Sequence, residues 1–440
     1  MLPSEFKERM KKILTVDYED FLKSFDEEPV KSIRVNTEKI SVKDFIKISP
    51  FEIKKIPYTE DGFYVRSDNL GNHAYHHAGL FYVQDPAAMM PVNTINLEED
   101  YVVLDLCAAP GGKTTQIATK LKKGILIANE INPNRAKILF SNVERMGLKN
   151  TIVLNNDAYT LSKKYSKTFD VIFIDAPCSG EGMFRKDPKS IKEWSQKKIE
   201  ECSLKQKELL KNADIMLKDG GFIVYSTCTY SLEENELLLT EFLKDYDYEI
   251  IEVNEEIKKY TSSGYVNKKI NPELIKAVRF YPHIFKGEGQ FACILKKKGI
   301  LTKTKLNFEI NNSLDKYIKN DVDVSLNAYI YDNKCYTKLP FNIDGLKIVS
   351  SGVKLGEIKK DRFIYHHNFV TAYGIYFKNK LYLNLDDPRL IKYLQGYEIF
   401  DSNVLNGYGV VFVDNYPLGL FKASNGVLKN HYPSGLRLVN

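Results

Sequence analysis

The chain has 440 residues, of which 43% are hydrophobic and 27% charged, and its formal net charge is +6 at pH 7. This length predicts roughly two to four domains, and the composition excludes a disordered or fibrous chain. Its six cysteines are scattered without a CxxC pair, which disfavours a disulfide framework or a zinc site and predicts reduced thiols in a cytoplasmic protein.

The first segment, residues 1–95, predicts a small α+β domain. Residues 1–25 have the pattern of an amphipathic helix of mixed charge, unlike a signal peptide, and short β-like runs follow. No apolar run approaches the ~20 residues of a membrane helix. His73, His76 and His77 could suggest a metal, but no Cys, Asp or Glu shares their spacing, so we predict no metal site.

Residues 96–298 alternate strand-like and helix-like segments. The predicted strands are 101–106, 124–128, 151–154, 169–174 and 221–225, and the predicted helices are 113–122, 133–146 and 191–218. Such alternation indicates a doubly wound parallel sheet covered on both faces. A helix near 233–243 and β-like runs at 248–253 and 290–295 predict a late hairpin in this α/β domain.

The segment DLCAAPGGKTT, residues 105–115, joins the first predicted strand to the first helix. Its glycines let backbone amides approach a ligand closely. A P-loop would need glycine where Cys107 stands, and the GxGxxG fingerprint is absent, so a nucleoside-like cofactor without a polyphosphate remains. The residues predicted to bind it are Cys107, Ala108, Ala109, Pro110, Gly111, Gly112 and Lys113.

Acidic residues follow the first three predicted strands. Asp105, Glu130 and Asp157 stand at carboxyl ends, which share one edge of a parallel sheet. A carboxylate at Glu130 would hold ribose hydroxyls, and Asp157 could hydrogen-bond an adenine edge. One acid at such a position is ordinarily a solvated cap, but three together indicate a ligand crevice.

The fourth and fifth strands each end near a cysteine. DAPCSGEGMFRKDP, residues 175–188, presents Asp175 and Cys178, and YSTCTY presents Cys228. A single cysteine on a strand is usually a small core residue, whereas two at neighbouring strand ends indicate a reaction centre. We expect Asp175 to contact both cofactor and substrate. The charges of residues 185–188 and 283–291 would contact phosphate or base, or form solvated surface.

Residues 299–440 are rich in tyrosine and in short strands separated by turns. They predict small β-rich domains, which we divide into an intermediate domain at 299–385 and a terminal domain at 386–440. Basic and aromatic residues together suit nucleic-acid stacking, although a β core would explain the tyrosines equally well.

The chain resembles the Sun-type RNA cytosine-C5 methyltransferases, and within them the RsmF-like ribosomal RNA branch. The motifs that carry this resemblance are YVQDPAAMM, DLCAAPGGKT, DAPCSGEGMFRKD, STCTYS, FYPHIFKGEGQFACIL and LKNHYPSGLRL. The resemblance implies a class I, Rossmann-like fold that uses S-adenosylmethionine, with a PUA-like RNA-binding domain at the C-terminus. It implies a monomer acting on small-subunit ribosomal RNA or an assembling 30S subunit.

By the same resemblance, Cys228 attacks the base and Cys178 assists release. A thiolate that adds to C6 of cytosine activates C5 toward a methyl group. Asp175 would bond N3, either protonated or sharing a proton with the base. DNA cytosine methyltransferases attack with the Pro-Cys thiol, so the second cysteine favours the RNA type. A transfer-RNA methyltransferase and a non-catalytic RNA-binding assembly factor remain as alternatives.

Overall fold

The computed structural model describes residues 2–311 and 313–438. The N-terminal part forms a four-stranded antiparallel sheet in the order β2-β3-β1-β4, with short helices around it. Its elements are α1 Ser4–Leu14, α2 Tyr18–Lys23, β1 Ser32–Val35, α3 Val42–Ile48, β2 Glu52–Lys55, β3 Gly62–Arg66, α4 Ala74–His77, β4 Phe81–Val83 and α5 Pro86–Asn93.

The central sheet holds the predicted alternation of strands and helices. Its strands are β5 Val102–Asp105, β6 Ile125–Asn129, β7 Thr151–Leu154, β8 Phe169–Asp175, β9 Leu217–Thr227, β10 Tyr248–Ile251, β11 Ser262–Ser263, β12 Val278–Phe280 and β13 Gln290–Lys297. Its helices are α6 Gly112–Lys120, α7 Pro133–Met146, α8 Ala158–Lys164, α9 Pro188–Glu193, α10 Gln196–Met216, α11 Glu236–Asp245 and α12 Glu255–Lys258.

Strands β5 to β9 are parallel and lie in the order β7-β6-β5-β8-β9, which is a Rossmann-like arrangement. The strand order reverses between β5 and β8, and ligands of such sheets bind at the carboxyl ends beside that point. Strand β13 runs antiparallel to β9, and both β10 and β12 pair antiparallel with β13. The predicted fold class and its late antiparallel strands are confirmed.

Local sequence explains most helix ends. Asn132 caps α7 by accepting from the backbone of the first turn, Pro133 occupies its first position, and Gly147 ends it in the left-handed region. The prediction of one helix at 191–218 is wrong, because the structure has two helices there, α9 and α10. Ser195 starts the second one, because its hydroxyl accepts from the Lys198 backbone N–H.

The intermediate region contributes to two sheets. Its elements are α13 Asp315–Ile318, β14 Ala328–Tyr331, β15 Lys334–Thr337, β16 Ile348–Ser351, β17 Lys354–Lys359, β18 Arg362–Tyr365 and α14 His367–Tyr373. Strands β14, β15, β17 and β18 form a sheet of their own. Strand β16 pairs antiparallel with β7 and thereby extends the central sheet.

The C-terminal region forms a five-stranded sheet in the order β19-β21-β22-β23-β20. Its elements are β19 Lys380–Leu383, α15 Pro388–Leu394, β20 Ile399–Phe400, β21 Gly407–Val413, β22 Tyr416–Ser424 and β23 Val427–Asn430. This sheet begins before the predicted boundary at residue 386. Throughout the described part of the chain, no helix is both long and apolar enough to cross a membrane.

Candidate active site

The glycine loop between β5 and α6 is shaped by its backbone. It passes through a cis peptide bond between Ala109 and Pro110, and Gly111 has φ 113°, a conformation that favours glycine. Helix α6 then begins at Gly112. Arg34, fully buried in the N-terminal domain, donates to the Gly112 carbonyl at 3.3 Å, so that domain supports the loop.

Asp105 lies beneath this loop rather than in a ligand cavity. It is fully buried and accepts a hydrogen bond from Thr114 Oγ1 at 2.7 Å. Burial raises the pKa of its carboxyl to about 7. Of the three strand-end acids, Asp105 therefore holds the start of α6 in place, and the other two are available to a ligand.

A cavity of about 710 Å³ opens at the carboxyl edge of the parallel strands. The predicted site residues in its wall are Cys107, Ala109, Glu130, Asp157, Asp175, Cys178 and Cys228. Ala108, Pro110, Gly111, Gly112 and Lys113, also predicted to bind the cofactor, are not part of that wall. Apolar Ile131 and Leu209 lie beside the acids, a mixture that fits the adenine, ribose and amino-acid parts of a nucleoside cofactor.

Glu130 and Asp157, the two predicted cofactor-binding acids after β6 and β7, differ in their surroundings. Glu130 is 3% exposed, accepts from the Asn132 backbone N–H at 2.9 Å, and has Arg135 at 3.5 Å. Asp157 caps α8, with both oxygens accepting hydrogen bonds from Thr160. These bonds lower the pKa of Asp157, which remains a charged acceptor at neutral pH.

The two predicted cysteines meet at one end of the cavity. Their sulfur atoms lie 3.2 Å apart, because β8 and β9 are adjacent parallel strands and each cysteine follows its strand end. The hydrogen bond to Cys228, followed by burial, raises the pKa of Cys178 well above that of a free thiol. Either thiol could donate the hydrogen bond between the two sulfur atoms.

Asp175 stands at the end of β8 between the glycine loop and the thiols. Its Oδ2 lies 2.8 Å from Lys113 Nζ, its Oδ1 accepts from Ser226 Oγ at 2.8 Å, and Gln290 Nε2 is 3.4 Å away. Lys113 was predicted to bind the cofactor, but its ammonium faces this carboxylate. Sequence reasoning missed Gln290, although it lies within one of the motifs quoted above.

The charged loops at 185–188 and 283–291 are partly structural. Arg185 forms a buried ion pair with Glu288 at 3.0 Å and also donates to the Ser24 and Gly287 carbonyls. The expectation that Arg185 contacts phosphate or forms solvated surface is therefore wrong. Its guanidinium instead joins the two loops to the N-terminal helices.

The histidines of the N-terminal domain have structural partners. His73 caps α4, and His77 Nδ1 lies 2.8 Å from the Tyr432 hydroxyl. His76 packs against Phe81, and the nearby Arg145 lowers its pKa in addition to burial. The described residues contain no group of three or more side chains arranged to hold a metal ion.

Comparison with known proteins identifies the family. Profiles described as "16S rRNA methyltransferase RsmB/F", "N-terminal domain of 16S rRNA methyltransferase RsmF" and "Methyltransferase RsmF PUA domain" match residues 92–296, 2–86 and 380–438. The chain is 32% identical over 475 aligned positions to ribosomal RNA small subunit methyltransferase F of Vibrio vulnificus strain YJ016, covering 99% of this chain and 97% of that one.

Solved structures agree with this assignment. A methyltransferase homolog from Pyrococcus horikoshii superposes with a TM-score of 0.59 at 26% identity, over 67% of this chain and 95% of that one. NSun6 from the same organism, solved with the S-adenosylmethionine analogue SFG, has a TM-score of 0.58 at 25% identity, over 68% and 99%. The predicted cofactor, S-adenosylmethionine, is thereby confirmed. The chain belongs to the RsmF family of S-adenosylmethionine-dependent methyltransferases.

Proposed function

We propose that this protein forms 5-methylcytosine in 16S ribosomal RNA through a covalent bond between Cys228 and C6 of the base. The observation that carries the proposal is the pair of thiols 3.2 Å apart at the end of the cofactor cavity, beside Asp175. A methyltransferase that modifies an already nucleophilic nitrogen or oxygen atom needs no thiol. Cytosine C5 is a poor nucleophile and requires one.

The addition step uses Cys228. Its thiolate forms a C–S bond to C6, the C5–C6 double bond opens, and N3 takes up a proton from solvent and shares it with Asp175, so that C5 becomes electron-rich. S-adenosylmethionine supplies an electrophilic methyl group to that carbon. The hydrogen bond from the Cys178 thiol helps the neighbouring sulfur to carry negative charge before it attacks.

Asp175 orients the base and shares its N3 proton. Lys113 and Ser226 both donate to this carboxylate. A carboxylate can accept from a protonated N3 and from the exocyclic amino group of cytosine. Of the two roles predicted for Asp175, these partners support the shared proton.

Release of the product uses Cys178. The C5 proton passes to water, the C6–S bond breaks, its electron pair returns to the sulfur of Cys228, and N3 returns its proton to solvent. The thiol of Cys178 donates a hydrogen bond to that sulfur and so stabilises the leaving thiolate. Without this donor, the adduct forms but is slow to resolve.

The proposed substrate follows from the relatives. The names of the curated relatives and of the matching profiles specify 16S or small-subunit ribosomal RNA, and one profile is a PUA domain. We therefore propose small-subunit RNA, free or within an assembling 30S subunit, as the partner of a monomeric cytoplasmic enzyme. Bisulfite sequencing of RNA from a deletion strain tests this. Loss of methylation in transfer RNA instead would select the transfer-RNA alternative, and no loss anywhere would select the assembly factor.

The roles of the cysteines are tested by covalent trapping. With RNA and S-adenosylmethionine, Cys178→Ala should transfer the methyl group and accumulate a heat- and detergent-resistant RNA adduct that RNase collapses on a gel. Cys228→Ala and the double variant should give no methylation and no adduct, while still binding the cofactor. An adduct that persists without Cys228 and vanishes without Cys178 would reverse the two roles.

A further inference from the structure

The two loops that carry the thiols are joined to each other by short hydrogen bonds. The Cys178 loop comprises residues 176–182, and the Cys228 loop comprises residues 228–234. The Gly182 backbone N–H donates to the Cys228 carbonyl at 2.9 Å, and the hydroxyls of Ser179 and Thr229 lie 2.7 Å apart. The spacing of the two sulfur atoms therefore depends on contacts made between these loops.

Glu234 reaches from the Cys228 loop into the Cys178 loop. It is fully buried and accepts from both the backbone N–H and the hydroxyl of Ser179, the residue next to Cys178. Gln206 on α10 donates to Glu234 at 3.0 Å and to the Pro177 carbonyl at 2.9 Å. The residues on both sides of Cys178 are thus held through one carboxyl group.

Glu181 makes the reverse connection. It is 1% exposed, and its carboxyl accepts from the Tyr230 backbone N–H at 3.1 Å, in the loop that carries Cys228. Its other oxygen accepts from Trp194 Nε1 at 2.9 Å. Each loop therefore sends one buried glutamate to the backbone of the other.

Burying a carboxyl group costs free energy of folding, so the burial of Glu234 and Glu181 argues that they do more than pack. Burial raises the pKa of Glu234 to about 7 and also raises that of Glu181. Such groups are over-represented at functional sites. Glu234 lies close enough to Cys178 for its charge to raise the pKa of that thiol as well.

We propose that Glu234 and Glu181 form a reciprocal clamp that fixes the spacing of Cys178 and Cys228, with Glu234 as a positioning residue for the release step. The kinetic part rests on the proposed function, whereas the spacing is a property of the protein alone. Rotating either loop would move one sulfur away from the other and remove the hydrogen bond that stabilises the leaving thiolate.

The spacing is measured with phenylarsine oxide, whose arsenic bonds two neighbouring thiols and loses its oxygen as water. Peptide mass mapping should show a Cys178–Cys228 bridge in the unchanged protein. In Glu234→Gln and Ser179→Ala, bridging should slow on the order of tenfold or more. Glu233→Gln is the matched control, because the adjacent Glu233 pairs with Arg9 and Ser231 and does not contact the Cys178 loop.

Release is measured with the trapped RNA adduct. Glu234→Gln should retain cofactor affinity and adduct formation but resolve the adduct on the order of 100-fold more slowly, since a displacement of about 1 Å costs about that factor. Bridging at the unchanged rate in both Glu234→Gln and Ser179→Ala overturns the clamp. Slowed bridging in a protein that never forms an RNA adduct supports the clamp and overturns the proposed function.

Discussion

At the residue scale, two acids of the cavity wall, Asp157 and Glu130, have different structural partners. Asp157 starts α8 and also lines the cavity, so a truncation there removes a helix cap together with one acid of the cavity wall. Glu130 is bonded to the next turn of the chain and to Arg135. The effect of removing Asp157 must therefore be compared with that of a variant that keeps the helix cap.

We expect Asp157→Ala to weaken S-adenosylmethionine binding by about 1–3 kcal/mol, the cost of one lost hydrogen bond to a charged group. The same change should lower the free energy of unfolding by about 1 kcal/mol through the lost cap. Asp157→Asn retains a capping oxygen and should leave stability nearly unchanged. Calorimetry with each variant measures the affinity, and an unchanged affinity in Asp157→Ala would place adenine elsewhere.

Sequence reasoning located the candidate reacting groups because they stand in motifs at strand ends. Asp175, Cys178 and Cys228 converge as predicted, since parallel neighbouring strands bring their carboxyl ends together. The spacing of residues along the sequence does not show where a side chain on a loop points. The Lys113–Asp175 ion pair therefore emerged only from the structure, as did the burial of Asp105 beneath the loop.

At the element scale, α1 packs over the loops that carry the thiols. Phe6, Met10 and Leu14 form its buried stripe at helical spacing. The Phe6 ring lies 5.0 Å from that of Phe184 and 6.4 Å from that of Tyr230, between centroids. The first helix of the chain thus packs against the Cys228 loop at Tyr230 and against Phe184, which follows the Cys178 loop.

We expect Phe6→Ala to lower the free energy of unfolding by about 3–5 kcal/mol and to reduce methyl transfer, because the cavity it leaves loosens both loops. Val16→Ala is the control, since Val16 is 90% exposed and should change neither quantity. Chemical denaturation and an RNA methylation assay measure the two effects. Full stability in Phe6→Ala would show that α1 contributes nothing to the packing of these loops.

Local patterns predicted the elements of the central sheet better than its edge. The strands found at Val102–Asp105 and Thr151–Leu154 lie within the predicted 101–106 and 151–154, because apolar runs and turn residues bound them. Strand Ile348–Ser351 joins this sheet from the intermediate region. Its partner β7 lies far away in the chain, and such a pairing leaves no periodic signal, so the division at 299–385 did not anticipate it.

At the scale of the whole molecule, the two ends of the chain share one apolar core. Residues of the N-terminal sheet such as Ile33 and Phe81 belong to the same buried cluster as Leu383, Tyr393 and Val411 of the C-terminal region. The N-terminal domain also supports the glycine loop through Arg34. Packing therefore connects the C-terminal domain to the glycine loop through the first domain.

Histidines line the junction where these domains meet. The His77 ring is 6.0 Å and the His367 ring 5.3 Å from the ring of Tyr432, and both nitrogens of His367 are buried without a hydrogen-bond partner. Burial lowers the pKa of His77 and of His367 to about 4. Folding therefore keeps both rings neutral at pH values where the unfolded chain would protonate them.

Above about pH 6.5, the ordinary histidine pKa, we expect these two groups to add no pH dependence to the free energy of unfolding. Below that pH, we expect the free energy of unfolding to fall as the pH drops toward 4. The unfolded state binds the extra protons in this window, so each histidine adds up to about 1.4 kcal/mol per pH unit to the slope. His367→Phe keeps a ring against Tyr432 and should reduce the slope of the free energy of unfolding against pH by the contribution of one proton. Urea unfolding at several pH values measures it. An identical slope in His367→Phe and the unchanged protein would show that this ring is protonated equally in both states.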